Sequence, residues 1–115
     1  MTNLNTADQQ TRIRCLNDQF RRDPTQGKVH ITDGAIGVVY QLGLKCILKQ
    51  LAEFDAFDEA NDPYHEHDFG SLSAGSDKVW WKIDYYAPDL ESASEDPTNQ
   101  SATTRVMTIM TPEEY

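Results

Sequence analysis

Apolar residues recur at Ile13, Leu16 and Phe20, a three- and four-residue spacing that puts all three on one side of a helix. The helix is predicted over residues 6–22. The Thr6 hydroxyl can accept an amide proton at its start, Asp8 suits its positive end, and Asp23-Pro24 followed by Gly27 stops it. Polar and apolar positions then alternate over residues 28–32, which predicts a short strand, and Asp33-Gly34 reads as a turn. Helical spacing returns in Leu44, Ile47, Leu48, Leu51 and Phe54, predicting one second helix across residues 39–54. Gly43 weakens the start of that helix by about 1 kcal/mol relative to alanine.

The remainder of the chain is patterned for strands. Residues 68–73 and 78–86 read as two strands joined by a hairpin turn at 74–77. In the second of them, Val79, Trp81, Ile83 and Tyr85 share one face, and Trp80, Lys82, Asp84 and Tyr86 share the other. A polar loop over 87–102 precedes a last strand at 103–110. The expected fold is α+β, a single domain over residues 1–115, with two helices packed on one face of a small antiparallel sheet of three to four strands. Trp80 and Tyr86 then lie on the open face, where an aromatic patch beside acidic residues suits contact with another protein unless the long loop covers it.

Charge changes this picture more than composition does. The chain of 115 residues carries a net charge of −9. Residues 1–52 hold seven basic and four acidic side chains, and residues 53–115 hold three basic and fifteen acidic ones. An acidic second half disfavours direct contact with nucleic-acid backbones or anionic membranes, both of which call for clustered Lys and Arg. The most apolar window, residues 34–48, is too short to span a bilayer and contains Lys45. Cys15 and Cys46 fall in predicted helices without nearby partners and read as buried reduced thiols. Residues 1–6 show no secretory pattern, so a soluble cytoplasmic protein is expected.

Between Lys49 and Lys78 there is no Lys or Arg. Such a stretch must face water, hold a cation or meet a basic partner, because unpaired buried carboxylates cost several kcal/mol each. The partner reading assigns contact to Glu53, Asp55, Asp58, Glu59 and Asp62, with Trp80 and Tyr86 on the sheet, and needs no cofactor. The cation reading uses His65, His67 and Asp68 to hold a divalent metal such as zinc, iron or manganese. If the segment is extended, His65 and His67 project to the same side, and a further ligand must come from His30, Asp62 or Asp84. A third reading makes Asn61-Asp62-Pro63 a rigid turn fastened by hydrogen bonds that delivers the following residues to the sheet. Asp84 is expected to pair with Arg105 on the last strand. No serine elbow, activated cysteine or phosphate-cradling glycine loop is present.

These segments resemble the bacterial family called domain of unknown function 3768. The matching elements are Asn61-Asp62-Pro63, residues 66–70 (Glu-His-Asp-Phe-Gly), residues 81–86 (Trp-Lys-Ile-Asp-Tyr-Tyr), Arg105-Val106 with residues 108–110, and Glu113-Glu114-Tyr115. Tyr64 stands where the family pattern has a histidine or similar residue. The resemblance implies a small bacterial cytosolic protein, often encoded on plasmids and other mobile elements. Small acidic proteins of such elements include anti-CRISPR inhibitors that occupy the basic channels of nucleic-acid-guided defence complexes. The expected function is therefore a non-enzymatic protein that binds a basic surface of a partner protein, such as a nucleic-acid-binding effector. The alternatives are a metal-binding protein or metal-dependent hydrolase built on the His-Glu-His-Asp segment, and a homo-oligomer joined through Trp80 and Tyr86.

Overall fold

The computed structural model describes residues 6–74 and 76–115. Helix α1 (Thr6–Arg22) leads into strand β1 (Lys28–Ile31), and helices α2 (Asp33–Leu42) and α3 (Leu44–Glu53) follow. Strands β2 (Phe69–Ala74), β3 (Asp77–Tyr86) and β4 (Thr104–Met110) complete an α+β fold. The sheet runs in the order β1-β4-β3-β2.

α1 matches its predicted span, and Ile13, Leu16 and Phe20 are its buried apolar face. The second helical region differs from expectation. The Thr32 hydroxyl accepts from the Ala35 N–H at 3.2 Å, so Asp33-Gly34 opens α2 instead of making a turn. Gly43 takes φ 94°, a left-handed region that L side chains rarely adopt, and it splits the expected single helix into two that meet at 97°. Among the described residues no single helix is long and apolar enough to cross a membrane.

β2, β3 and β4 form the antiparallel part of the sheet, with Trp81 opposite both Gly70 and Ile109. β1 pairs parallel to β4, Lys28 opposite Val106 and His30 opposite Thr108, so the sheet is mixed where an antiparallel one was expected. Two helices and two strands intervene between β1 and β4, a connection long enough to bring β1 alongside in the same direction. The edge strand β2 is guarded at Ser73, whose N–H and C=O both bond the Gln50 side chain of α3, at 3.1 and 3.0 Å.

The alternation read from β3 holds: Val79, Trp81 and Ile83 are buried with Met107 and Ile109 of β4 against Phe20, Ile47, Leu51 and Val39. Gly70 lets this layer close, because a Cβ there would lie 2.7 Å from the Phe54 ring and 2.8 Å from Trp81. Cys15 and Cys46 are helical but exposed, not buried; each falls outside the inward-facing stripe of its helix.

Candidate functional site

The segment between α3 and β2 is anchored from below by polar residues that the helices bury. Asn17 of α1 is fully buried. Its Nδ2 donates to the Glu66 carbonyl at 2.9 Å and to the Tyr85 hydroxyl at 2.8 Å, while its Oδ1 accepts from Arg105 Nε at 2.7 Å. The Tyr85 hydroxyl donates onward to Glu66 Oε1 at 2.7 Å, and burial holds its pKa well above the usual phenol range. Arg105 lies over the Tyr85 ring and donates to the Pro97 carbonyl at 2.6 Å, which ties the long loop to the sheet. Burial also lowers the Arg105 pKa.

A second buried guanidinium closes the end of α3. Arg21 donates to the carbonyls of Leu51 and Phe54, both at 2.9 Å, capping the unpaired carbonyls of the last helical turn. Its other arm meets Asp18 at 2.6 Å, and its plane lies near the Phe57 and Trp81 rings. Burial alone would raise the Asp18 pKa, but the hydrogen bonds from Arg21 and His67 outweigh it, and the net shift is downward.

On these supports the turn forms as a closed local unit. Asp58 Oδ1 accepts from the Ala60 and Asn61 N–H groups, while Asn61 Oδ1 accepts from the Asp58 N–H and its Nδ2 donates to the Ala56 carbonyl. Asp62, 3% exposed, accepts from the N–H groups of Glu66 at 2.9 Å and His67 at 3.1 Å. These bonds hold His65 and His67 at φ 56° and 55°. Two left-handed residues make this piece curl, so the extended geometry that would project both imidazoles to one side does not form. His67 stacks on Phe57 with ring centroids 3.8 Å apart and its Nδ1 is 2.9 Å from Asp18. His65 is exposed, and its carbonyl accepts from Arg14. Among the described residues no three His, Cys, Asp or Glu side chains are grouped to hold a metal ion.

Above the turn, on the sheet face away from the helices, lies a groove of about 800 Å³. β3 contributes Trp80, Lys82, Asp84 and Tyr86 to its floor, and β4 contributes Thr108 and Met110. The turn supplies one rim through Asn61, Pro63 and Tyr64, and Glu114 with Tyr115 supplies another. Phe69, Trp80 and Tyr115 pack edge to face with centroids 5.3 to 5.6 Å apart, a rigid aromatic wall.

The charge in this groove is unbalanced. Among its described lining residues Asp68, Asp84 and Glu114 stand against one basic residue, Lys82, whose Nζ lies 3.1 Å from Asp84 Oδ2. Asp68 also lines the groove, and its pKa is pushed up to about 6, first by burial and then by the negative charges of Glu66, Asp62 and Asp84. Burial is the larger cause; the smaller part, from Glu66, Asp62 and Asp84, is a negative potential that an incoming cation would relieve. Glu114 is engaged otherwise. It accepts from Thr32 Oγ1 at 2.6 Å, Thr111 N at 2.8 Å and Gly34 N at 3.3 Å, and the Thr32 bond is the leading cause of a pKa of about 2.

The sequence-derived candidates therefore separate. Trp80 and Tyr86 line the groove, and the long loop reaches Tyr86 through a bridge to Ala93 while leaving the groove open. Glu53, Asp55, Asp58 and Glu59 are exposed on the segment leading to the rim, whereas Asp62 is buried in the turn it organises. Asp68 lines the groove, whereas the His67 ring is turned to Asp18 and Phe57. Asp84 does not pair with Arg105, because Arg105 stands opposite Tyr85 and shares its inner face, while Asp84 faces outward to Lys82. Sequence reasoning missed Asn17 and Arg21 as buried organisers and Tyr115 as part of the wall. The available signal for the first two is a polar residue on the apolar side of α1, Asn17 four residues after Ile13 and Arg21 four residues after Asn17; for Tyr115 it is the Glu113-Glu114-Tyr115 element of the family resemblance.

No curated protein and no solved structure matches the chain. Residues 25–114 match the family described as "Protein of unknown function (DUF3768)", and with the turn, β3 and the Glu-Glu-Tyr clasp all inside or at the edge of that span, the chain belongs to this family.

Proposed function

We propose that this protein is a non-enzymatic binding module that takes a basic segment of a partner protein into the groove on the open face of its sheet. The observation that carries the reading is the groove itself: an aromatic wall beside Asp68, with Lys82 and Asp84 paired to each other and no second basic residue among the described lining. A lysine or arginine side chain entering it would gain the face of Trp80 and the field of Asp68. Glu53, Asp55, Asp58 and Glu59, exposed on the approach to the rim, extend the attraction beyond the groove and speed encounter with a basic surface. The partner class implied by the family resemblance, a nucleic-acid-binding effector of a guided defence complex, presents such surfaces. The protein would compete there for side chains that otherwise hold phosphates.

The test is a titration of the protein with a short arginine-rich peptide and a glutamate-rich control, read by calorimetry. Binding of the basic peptide alone, weakened by salt and reduced roughly tenfold or more by Trp80→Ala and by Asp68→Asn with Asp84→Asn, is expected. Equal binding of both peptides, or binding untouched by the groove substitutions, rejects the reading. Capture of a guided effector from cells that contain one then tests the finer partner assignment.

A further inference from the structure

α2 turns a face to solvent that its own fold does not use. Ala35 and Val39 point into the core, with Val38 and Leu42 packed beside them. At about 100° per residue, Asp33, Ile36, Gly37 and Tyr40 fall on the opposite side. A solvent face is normally polar. Here Ile36 is 53% and Tyr40 88% exposed, and Leu44, just past the break at Gly43, is 52% exposed.

Gly37 sharpens the contrast. Glycine is the poorest residue of a helix interior after proline, and a Cβ at this position would meet nothing within 4 Å. Nothing among the described residues calls for a glycine there. A second backbone passing close over the helix would.

The charges around this face identify what passes over it. Asp33 stands at one end, and the Glu114 carboxylate, bonded to Gly34 N, adds a second negative charge there. Beyond Gly43 the chain turns by 97° into α3, and the first turn of that helix carries the exposed Lys45 beside the C-terminal end of α2. The patch is thus negative at one end, apolar in the middle and positive at the other. Such a surface is complementary to itself under a two-fold axis that sets two α2 helices antiparallel. With a rise of about 1.5 Å per residue, an axis near residue 38 puts Asp33 of one copy opposite Gly43 of the other, within reach of the Lys45 side chain. The antiparallel helix dipoles also attract. For a chain of net charge −9, this face allows two copies to meet without stacking like charges.

We propose that the outer face of α2 is a homodimer interface in which two copies pack antiparallel across Ile36, Gly37 and Tyr40. Ile36, Tyr40 and Leu44 leave on the order of 400 Å² of surface open, about half of the roughly 800 Å² per side of a standard interface. The interface is therefore at the small, transient end, and association is expected to depend on concentration. The interface lies apart from the groove and does not depend on the basic-partner reading.

Sedimentation velocity of the full chain, from low micromolar to near-millimolar concentration, tests it. A concentration-dependent dimer is expected. Gly37→Gln, which fills open space and favours helix, should keep or raise the melting temperature while weakening dimerisation at least tenfold, and Tyr40→Ser should do the same to the dimer. Lys45→Glu should weaken it, and Asp33→Lys combined with Lys45→Glu should restore it. A monomer across the whole range overturns the proposal, as does a dimer insensitive to Gly37→Gln and Tyr40→Ser, or one lost only on changing Trp80.

Discussion

Replacing Asp68 with asparagine should make the protein more stable at neutral pH. The Asp68 carboxyl, ordinarily near 3.8, is raised to about 6 by burial and by the charges of Glu66, Asp62 and Asp84. In the interval between those values the folded chain keeps a proton that the unfolded chain releases. Stability therefore falls as pH rises from about 4 to about 6, and the full cost is present above that window. Two units correspond to roughly 3 kcal/mol, an upper bound because neighbouring carboxylates and solvent relax around the charge. Asp68→Asn removes the charge and should recover up to about 3 kcal/mol at pH 7.5, shrinking toward zero near pH 4. Urea unfolding of both proteins at several pH values, followed by the fluorescence of buried Trp81, measures the difference directly. A variant that is less stable at pH 7.5, or a difference that does not change with pH, refutes the placement of Asp68 among negative neighbours. Under the proposed function the same linkage makes a basic peptide bind more tightly as pH rises through about 6.

Asn17→Ala should cost about 2–4 kcal/mol by denaturant unfolding, because Arg105 Nε and the Glu66 carbonyl lose buried partners together. Gly70→Ala should cost at least 1–3 kcal/mol in the same assay, since the added methyl group meets the Phe54 and Trp81 rings. The Glu114 clasp has a lowered pKa, so its contribution is complete above about pH 4.5 and lost as pH falls toward 2. Melting curves of Glu114→Gln and the parent should accordingly differ at pH 6 and converge near pH 2.

Local signals were legible wherever neighbours in sequence decide the structure. The span of α1, the two faces of β3 and the capped turn at Asn61-Asp62-Pro63 follow from spacing and side-chain chemistry within a few residues. The second helical region was misread because two local signals competed. Thr32 captures the helix start, and Gly43, whose spacing fits a weak helix residue, takes a φ that makes it the joint between two helices. The Asp84–Arg105 pairing failed for a register reason: one residue of offset across β3 and β4 reverses the face.

What the sequence by itself determined is the α+β class, an acidic second half and a sheet face holding Trp80, Lys82, Asp84 and Tyr86, all set by short-range periodicity and charge count. Only the tertiary structure decided that β1 joins β4 in parallel, that Asn17 and Arg105 meet across 88 residues, and that Asp68 enters the groove while His67 turns to Asp18 and Phe57. Those contacts join residues far apart in the chain. Their geometry follows from how buried polar groups find partners once the core has closed, which no local pattern encodes.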